Sequence, residues 1–312
     1  MKILIAGPGA MGCLFAGLLL KSNEVSLFDY NAKRAARLNR NGIKISGFSN
    51  IRFKIRVITK TSPIEHFDLV LLLVKSQSTS QALQDINKFL DRNTYLLTLQ
   101  NGLGNVEIIS KYVCDHIKGL NKKHLLAGTT ALGATLKDPE NIIHSGAGLT
   151  TIGFIEKNTS NSSFLVSLKT VFEKCGIKTS ITRNIYTTLW SKLIINSAIN
   201  PIGAIFRVSN GELLKNKSIK QLLFSTVRES YSVALKLEIK PLYSNPELKV
   251  AQTCKKTSKN QNSMLQDILK GKQTEIDNIN GAIITLALKN KIETPVNKVL
   301  YSLIKRLETD TK

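Results

Sequence analysis

One stretch of the sequence places three polar side chains at the spacing of a helix face. In TLWSKLIINSAINP, residues 188–201, Lys192, Asn196 and Asn200 follow one another every four residues, so on an α-helix they form one stripe. Most of the residues around them are apolar, which is typical of a buried helix. A lone helical lysine would be interpreted as solvent-facing, but buried amides and ammonium groups need hydrogen-bond partners. The stripe therefore predicts hydrogen bonding to a polar ligand or to water in a cavity.

A glycine-rich motif lies near the N-terminus. The segment GPGAMG, residues 7–12, fits G-x-G-x-x-G between a strand-like KILIAG and a helix-like CLFAGLLLKS, and a second strand, EVSLFDY, follows. Gly7 would permit the tight turn, Gly9 would let the backbone approach a pyrophosphate, and Gly12 would let helix and strand pack closely. The motif predicts a dinucleotide-binding βαβ unit, with a plain glycine turn as the alternative.

Further apolar segments continue this pattern through the first half of the chain. FDLVLLLVKSQ, TYLLTLQNGLGN and HLLAGTTALGAT read as buried strands, and their alternation with helices predicts a parallel, doubly wound sheet. Lys75 and Asn101 follow two of these strands, at the sheet edge where such folds bind ligands. A solvated loop lysine and an Asn-Gly turn are the alternatives for these two residues.

The pattern changes near the middle of the chain. A hairpin in NIIHSGAGLTTIGFIEKN is expected to precede a Ser/Asn-rich stretch at residues 158–163, which predicts a first domain of 1–163. Strand patterns disappear beyond it, so residues 164–312 are expected to be all-helical. Gly271 indicates a break between a helix that carries Ser263 and one that Glu275 opens. An N-cap at Thr274 and a favourable helix dipole are the alternatives for Glu275.

Length and charge narrow the class of protein. The 312 residues exceed what one core usually serves, which predicts two domains, and 44 Lys+Arg against 22 Asp+Glu give a formal charge of +22. The basic residues are spread along the chain, so we expect anionic small substrates, without nucleic-acid or membrane binding. The spacing of four cysteines and four histidines indicates no metal site and no disulfide framework. Glycines interrupt the apolar N-terminal run, so we expect a cytoplasmic protein without a signal peptide.

Four separate motifs then resemble one known family. LWSKLIINSAINP, SNGEL, SMLQDI and TEIDNING stand in the order found in ketopantoate reductases (2-dehydropantoate 2-reductases), and the resemblance runs from GPGAMG almost to the C-terminus. It implies a Rossmann domain followed by an all-helical domain, with the active site in the cleft between them. It also implies that NADPH reduces 2-dehydropantoate to pantoate, for pantothenate and coenzyme A synthesis. We expect a monomer or a homodimer.

The resemblance assigns roles to individual residues. Lys192 would be the general acid that protonates the developing alkoxide and stabilises its charge. Substrate contacts are implied for Lys192 and for Asn196, Asn200, Asn210 and Ser263. Positions near the dinucleotide are implied for Gly7, Pro8, Gly9, Ala10, Met11, Gly12, Lys75, Asn101, Ala134 and Glu275.

The sequence departs from the family's pattern after the second strand. Many NADPH-using members carry an arginine there, whereas this chain has Asp29 and Tyr30. An acid at this point usually accepts from a free ribose 2′-hydroxyl and repels a phosphate, although Lys33, Arg34 and Arg37 could compensate. We expect NADPH with reduced discrimination against NADH. The other functions left open are another 2- or 3-hydroxy acid dehydrogenase, a non-catalytic NAD(P)-binding regulator and, from charge alone, a nucleic-acid binder.

Overall fold

Two compact units make up the protein. The structure, a computed structural model, describes residues 1–156 and 162–310. The first unit comprises Met1–Gln100 and Asn105–Ile185, and the second comprises Asn101–Gly104 and the chain from Tyr186 onward. The domain edge predicted at residues 158–163 precedes this division, and residues 158–161 of that stretch lie outside the described residues. The predicted fold class is confirmed, with a mostly parallel sheet flanked by helices followed by an all-helical region.

The first unit alternates strands and helices. Its strands are β1 (Lys2–Ala6), β2 (Glu24–Phe28), β3 (Ile43–Gly47), β4 (Ile51–Phe53), β5 (Arg56–Ile58), β6 (Leu69–Leu72), β7 (Tyr95–Thr98), β8 (Leu125–Thr130), β9 (Gly133–Asp138), β10 (Asn141–Gly146), β11 (Thr150–Phe154) and β12 (Thr179–Ile181). Its helices are α1 (Ala10–Leu19), α2 (Ala32–Asn41), α3 (Thr79–Ile86), α4 (Asn105–His116) and α5 (Ser162–Lys174).

The larger sheet has the order β12-β11-β8-β7-β6-β1-β2-β5. Its neighbouring strands are parallel except at β8 and β11, which pair antiparallel. β1 lies between β2 and β6, and Ala6 at its end is in register with Phe28 and Leu72. The carboxyl ends of these three strands therefore meet at one edge of the sheet, where doubly wound folds bind their ligands.

The core of the first unit lies on both faces of this sheet. In β1, Ile3 and Ile5 join an apolar cluster with α1 and α5, whereas Leu4 and Ala6 join one with α3 and α4. A strand that is covered on both faces needs apolar residues at successive positions, which explains why KILIA does not alternate with polar residues.

A second sheet of four strands, β4-β3-β10-β9, packs against α1 and was not predicted. The segment HLLAGTTALGAT is not a single strand, because β8 and β9 belong to different sheets. The predicted hairpin was also wrong, since β10 pairs with β9 and β3 whereas β11 pairs with β8 and β12. Between them the chain passes so close to Ala131 that a Cβ at Gly148 would lie 2.3 Å from the Ala131 oxygen. β12 also shows that strands continue beyond residue 163.

The second unit is helical. It contains α6 (Ile185–Phe206), α7 (Lys217–Lys236), α8 (Pro246–Lys256), α9 (Ser263–Leu269), α10 (Asn280–Lys289) and α11 (Pro295–Asp310). Asparagine side chains cap three of these helices by accepting from first-turn amides, at Asn216, Asn245 and Asn262. Within the described residues, no helix combines the length and apolar character needed to cross a bilayer.

Candidate functional site

The three glycines of the motif, Gly7, Gly9 and Gly12, have different surroundings. Gly7 has a φ of +107°, and a Cβ there would lie 2.8 Å from the Val74 nitrogen. At Gly12 a Cβ would lie 2.0 Å from the Gly7 oxygen, so only glycine lets α1 approach the turn this closely. At Gly9, by contrast, a Cβ would have nothing within 4 Å. The first and third glycines are therefore required by the fold, whereas Gly9 keeps a space open.

That space lies at the start of α1. Gly9 is the N-cap residue of α1, which has no side-chain cap and no acidic residue in its first turn. The first amides of a helix lack intrahelical acceptors and the helix dipole favours an anion there. Because Gly9 has no side chain and the first N–H groups of α1 have no intrahelical acceptors, the backbone here can bind a phosphate group. These residues therefore fit the pyrophosphate of a dinucleotide. Pro8 belongs to the glycine turn, and Ala10 and Met11 begin α1.

Lys75 lies close to this turn in the first unit. It follows β6 and precedes a short 3₁₀ helix, Ser76–Ser78, and its neighbour Val74 contacts Gly7. Gln100 fixes the segment by donating from Nε2 to the Val74 oxygen at 2.9 Å and to Thr79 Oγ1 at 2.8 Å. Gln100, which follows β7 and precedes the predicted Asn101, was not predicted as a site residue.

Ala134 lies on β9 of the smaller sheet, opposite His144 of β10. It packs against the apolar cluster that contains α1. The structure thus places Ala134 near the helix of the glycine motif through packing of the second sheet, which the sequence did not predict. Its contact with a dinucleotide stays a prediction.

In the second unit, the polar stripe lies on α6 as predicted. The apolar residues around it are buried, with Leu189, Trp190, Leu193, Ile194, Ile195, Ala198 and Ile199 each 7% exposed or less. Lys192 and Asn196 are half-buried, and Asn200 is only 5% exposed. Among residues 1–156 and 162–310, no group forms a hydrogen bond with the side-chain amide of Asn200. A side-chain amide that bonds to no described residue can donate to and accept from a polar ligand, so Asn200 is suited to that role.

Lys192 is in an environment that disfavours its charge. Burial lowers the pKa of Lys192 from 10.5 to about 8, although the negative charge of Glu275 acts in the opposite direction. A lysine with a pKa near 8 is charged at neutral pH and can still release a proton, which suits a general acid.

Glu275 is held by residues that lie far from it in the sequence. Asn101 Nδ2 donates to Glu275 Oε2 at 3.2 Å. The segment that carries Asn101 is fixed to Asn278, since Leu103 N donates to the Asn278 oxygen at 2.8 Å. Gly102 permits this approach, because a Cβ there would lie 2.3 Å from the same oxygen. The structure therefore joins Lys192, Glu275 and Asn101 in one electrostatic cluster.

The expectation that Glu275 opens a helix was wrong. Glu275 does not open an α-helix, because it precedes a 3₁₀ turn, Ile276–Asn278, and α10 begins only at Asn280. The turn forms there because Thr274 Oγ1 accepts from Ile276 N at 3.1 Å and donates to Glu308 Oε1 at 2.7 Å.

Asn210 and Ser263 flank a segment of the second unit that contacts α6. Asn210 Nδ2 donates to Thr257 Oγ1 at 2.9 Å, while its buried Oδ1 has no partner among the described residues. Ser263 is exposed at the start of α9. The preceding Asn262 donates to the Ile199 oxygen of α6 at 3.2 Å, which brings the start of α9 to the Asn200 end of the stripe.

No metal site accompanies these residues. Within 1–156 and 162–310, no three His, Cys, Asp or Glu side chains come together in a way that could hold a metal ion.

The glycine turn on a doubly wound sheet and the lysine cluster on a helical unit are features of a nicotinamide-dependent oxidoreductase. Two family models match the chain, ketopantoate reductase PanE/ApbA over residues 3–157 and its C-terminal region over residues 184–308. The chain belongs to the ketopantoate reductase family.

Individual relatives agree with this membership. The chain is 38% identical over 309 residues to the 2-dehydropantoate 2-reductase of Pyrococcus horikoshii, covering 99% of this chain and 98% of that protein. Among solved structures, D-mandelate dehydrogenase with NADH and anilino(oxo)acetate is 26% identical, with a TM-score of 0.90 over 100% of this chain and 99% of that one. A PanE/ApbA family ketopantoate reductase from Ralstonia eutropha JMP134 is 25% identical, with a TM-score of 0.86 over 100% and 99%.

Proposed function

We propose that this protein reduces 2-dehydropantoate to (R)-pantoate with NADPH, and that Lys192 is the general acid. The observation that carries the proposal is the position of Lys192 on one face of α6 with Asn196 and Asn200, where partial burial lowers the pKa of Lys192 to about 8. Family membership supplies the reaction class, and the relative from Pyrococcus horikoshii is a 2-dehydropantoate 2-reductase. The product would serve pantothenate and coenzyme A synthesis.

In this proposal, the residues of the second unit have separate roles in the reaction. When bound, the reduced nicotinamide supplies the hydride. Lys192 donates a hydrogen bond to the keto oxygen, and its charge stabilises the oxygen as negative charge develops, before the proton is transferred. Glu275 keeps Lys192 protonated by opposing the effect of burial, and Asn101 orients the Glu275 carboxylate. Asn196, Asn200, Asn210 and Ser263 bind the polar groups of the keto acid.

The first unit would bind the dinucleotide. The turn from Gly7 to Gly12 would hold the pyrophosphate, and Lys75 and Ala134 would contact the rest of the cofactor. NADH is also considered, because the position of Asp29 after the second strand is one at which an acid often accepts from a free ribose hydroxyl, whereas the basic residues Lys33 and Arg34 follow it. NADPH is the preferred cofactor in this proposal.

A second candidate is reduction of a different 2-keto acid. It is favoured by the TM-score of 0.90 with D-mandelate dehydrogenase, a protein bound in that structure to NADH. The corresponding substrate would carry an aromatic ring in place of the branched hydroxyl-bearing chain of 2-dehydropantoate. A hydroxyl-binding site discriminates strongly against analogues that lack the hydroxyl, because its own polar groups are then left unpaired.

Steady-state oxidation of NADPH with a panel of 2-keto acids tests the proposal. We expect kcat/KM for 2-dehydropantoate to exceed that for phenylglyoxylate by about a hundredfold or more, as expected when a polar site loses its hydrogen-bonding partner. A higher value for phenylglyoxylate would support the second candidate. Binding of NADPH without turnover of any keto acid would indicate a regulator.

A further inference from the structure

We infer that Arg34, held by a buried Asp29, binds the 2′-phosphate of the adenosine ribose and sets the cofactor preference of this chain. The inference rests on the proposed use of a nicotinamide dinucleotide and adds the residue that distinguishes its two forms. It differs from the expectation that Asp29 itself meets the ribose.

Asp29 stands beside the glycine turn. It follows β2, and Gly7 N donates to the Phe28 oxygen at 3.3 Å, so the end of β2 and the turn after β1 are neighbours. In a doubly wound sheet this is where the adenosine ribose lies once the pyrophosphate occupies the glycine turn. The side chains at the start of α2 therefore determine which protein groups would contact the ribose.

The carboxylate of Asp29 is not accessible for a ribose hydroxyl. Its side chain is 0% exposed. Oδ2 accepts from Arg34 Nε at 2.5 Å, and Oδ1 accepts from Arg34 Nη2 at 2.7 Å and from Asn31 N at 2.9 Å. A ribose hydroxyl could donate to Asp29 only if this bidentate pair opened, which would leave a charged group without its partner.

The side chain of Arg34, unlike that of Asp29, is accessible to a ligand. Its side chain is 33% exposed, and its Cζ lies 5.6 Å from the centre of the Tyr30 ring, which is itself 70% exposed. Lys33 beside it is exposed and forms no ion pair with any described residue. Asp29, Arg34 and Lys33 together carry one net positive charge, and the fixed guanidinium is a planar donor suited to phosphate oxygens.

Arg37 on the next turn of α2 is occupied elsewhere. It pairs with Glu140 through Nε, so it is not available in the same way to a ribose phosphate. Of the three bases that the sequence offered as compensation for Asp29, the structure thus favours Arg34 and Lys33. Arg37 provides a matched control on the same helix.

The test is calorimetric titration with adenosine 2′,5′-bisphosphate and with 5′-AMP, which need neither nicotinamide nor substrate. We expect the wild-type protein to bind the bisphosphate about tenfold more tightly or better, as charge-assisted hydrogen bonds to a phosphate would give. Arg34→Ala should reduce this ratio to about threefold or less. Arg37→Ala should keep it. If Arg34→Ala does not fold, because Asp29 is left buried and unpaired, the combination of Asp29→Asn with Arg34→Ala removes both charges and should also abolish the ratio.

Three results would overturn the inference. In the first, the wild-type protein binds 5′-AMP as tightly as the bisphosphate, or binds neither. In the second, an Arg34 variant keeps the preference for the bisphosphate. In the third, Arg37→Ala loses that preference. A preference that responds to Arg34 in a protein that reduces no 2-dehydropantoate would contradict the proposed reaction and would still support the inference.

Discussion

Asn280 replaces a hydrogen bond that Pro201 removes from α6. Its Nδ2 donates to the main-chain oxygen of Ser197 at 2.8 Å. In a regular helix that oxygen would accept from the amide four residues later, but residue 201 is proline and has no N–H. Asn280 lies on α10 and is fully buried. The substitution of one donor for another lets α6 continue as a single helix, so Lys192, Asn196 and Asn200 stay in register.

Replacing Asn280 tests this relationship. Asn280→Ala leaves the Ser197 oxygen without this donor and leaves Asn297 Oδ1 with only the long hydrogen bond from Ser230 Oγ at 3.5 Å, and a buried unsatisfied group costs about 1–3 kcal/mol. We expect the free energy of unfolding to fall by roughly 2–4 kcal/mol in a urea titration. Asn290→Ala removes an exposed amide that bonds to the Leu286 oxygen, and it should change stability by less than about 0.5 kcal/mol. Equal effects of the two substitutions would contradict the role given to Asn280.

A methyl group at Gly9 should affect cofactor binding without affecting the fold. Its Cβ enters open space, so the melting temperature of Gly9→Ala should stay near wild type. The same methyl would obstruct a pyrophosphate, and losing one backbone hydrogen bond to a charged acceptor, worth about 1.5–3 kcal/mol, would weaken NADPH binding tenfold or more. Gly12→Ala should instead destabilise the protein, because its Cβ would lie 2.0 Å from the Gly7 oxygen. NADPH affinity unchanged by Gly9→Ala would show that no phosphate occupies this turn.

Asn200 should matter for substrate more than for folding. Its amide bonds to no described residue, so Asn200→Ala should leave the melting temperature nearly unchanged. Loss of a hydrogen bond to substrate should lower kcat/KM for 2-dehydropantoate by about 1–3 kcal/mol of transition-state binding. Asn262→Ala should show the opposite pattern in thermal denaturation, because Asn262 caps α9 and donates to the Ile199 oxygen. A sharp drop in melting temperature with unchanged kinetics for Asn200→Ala would make Asn200 a structural residue.

The pH dependence of the reaction should report Lys192. With a pKa of about 8, Lys192 loses its proton as the pH rises, so kcat/KM for keto-acid reduction should fall above that pH. The charge of Glu275 raises the pKa of Lys192, so Glu275→Gln should move the decline to lower pH. Asp277→Asn, which removes an exposed carboxylate bonded to Tyr301 and Lys305, should not move it. A profile that Glu275→Gln leaves in place or moves to higher pH would separate Glu275 from Lys192.

The sequence predicted the features that depend on local pattern. The strand, glycine turn and helix at residues 2–19 formed as expected, because an apolar run covered on both faces and three small residues at fixed offsets leave few other structures. The α6 stripe was predicted for the same reason, since helical periodicity fixes which residues share a face.

Long-range pairing could not be predicted in this way. β10 and β11 are close in sequence and were expected to pair, but which sheet each joins depends on β3, β8 and β9. The contacts of Asn101 with Glu275 and of Arg34 with Asp29 require the folded chain for the same reason. The role of Asn280 has one signal in the sequence. A proline inside a predicted helix leaves the main-chain oxygen four residues earlier without its usual N–H donor, which implies that another group donates to it.

Substitution of Lys192 tests the central claim most directly. Lys192→Ala removes the proton donor and the charge that would stabilise the alkoxide, and it leaves the glycine turn of the first unit unchanged. The decisive measurement is kcat with 2-dehydropantoate, made alongside NADPH binding by fluorescence. We predict that kcat falls by roughly 10²- to 10⁴-fold or more, with NADPH affinity nearly unchanged, because a positioned general acid contributes about that much. A variant that keeps more than about a tenth of the wild-type kcat would contradict the role of Lys192 as general acid.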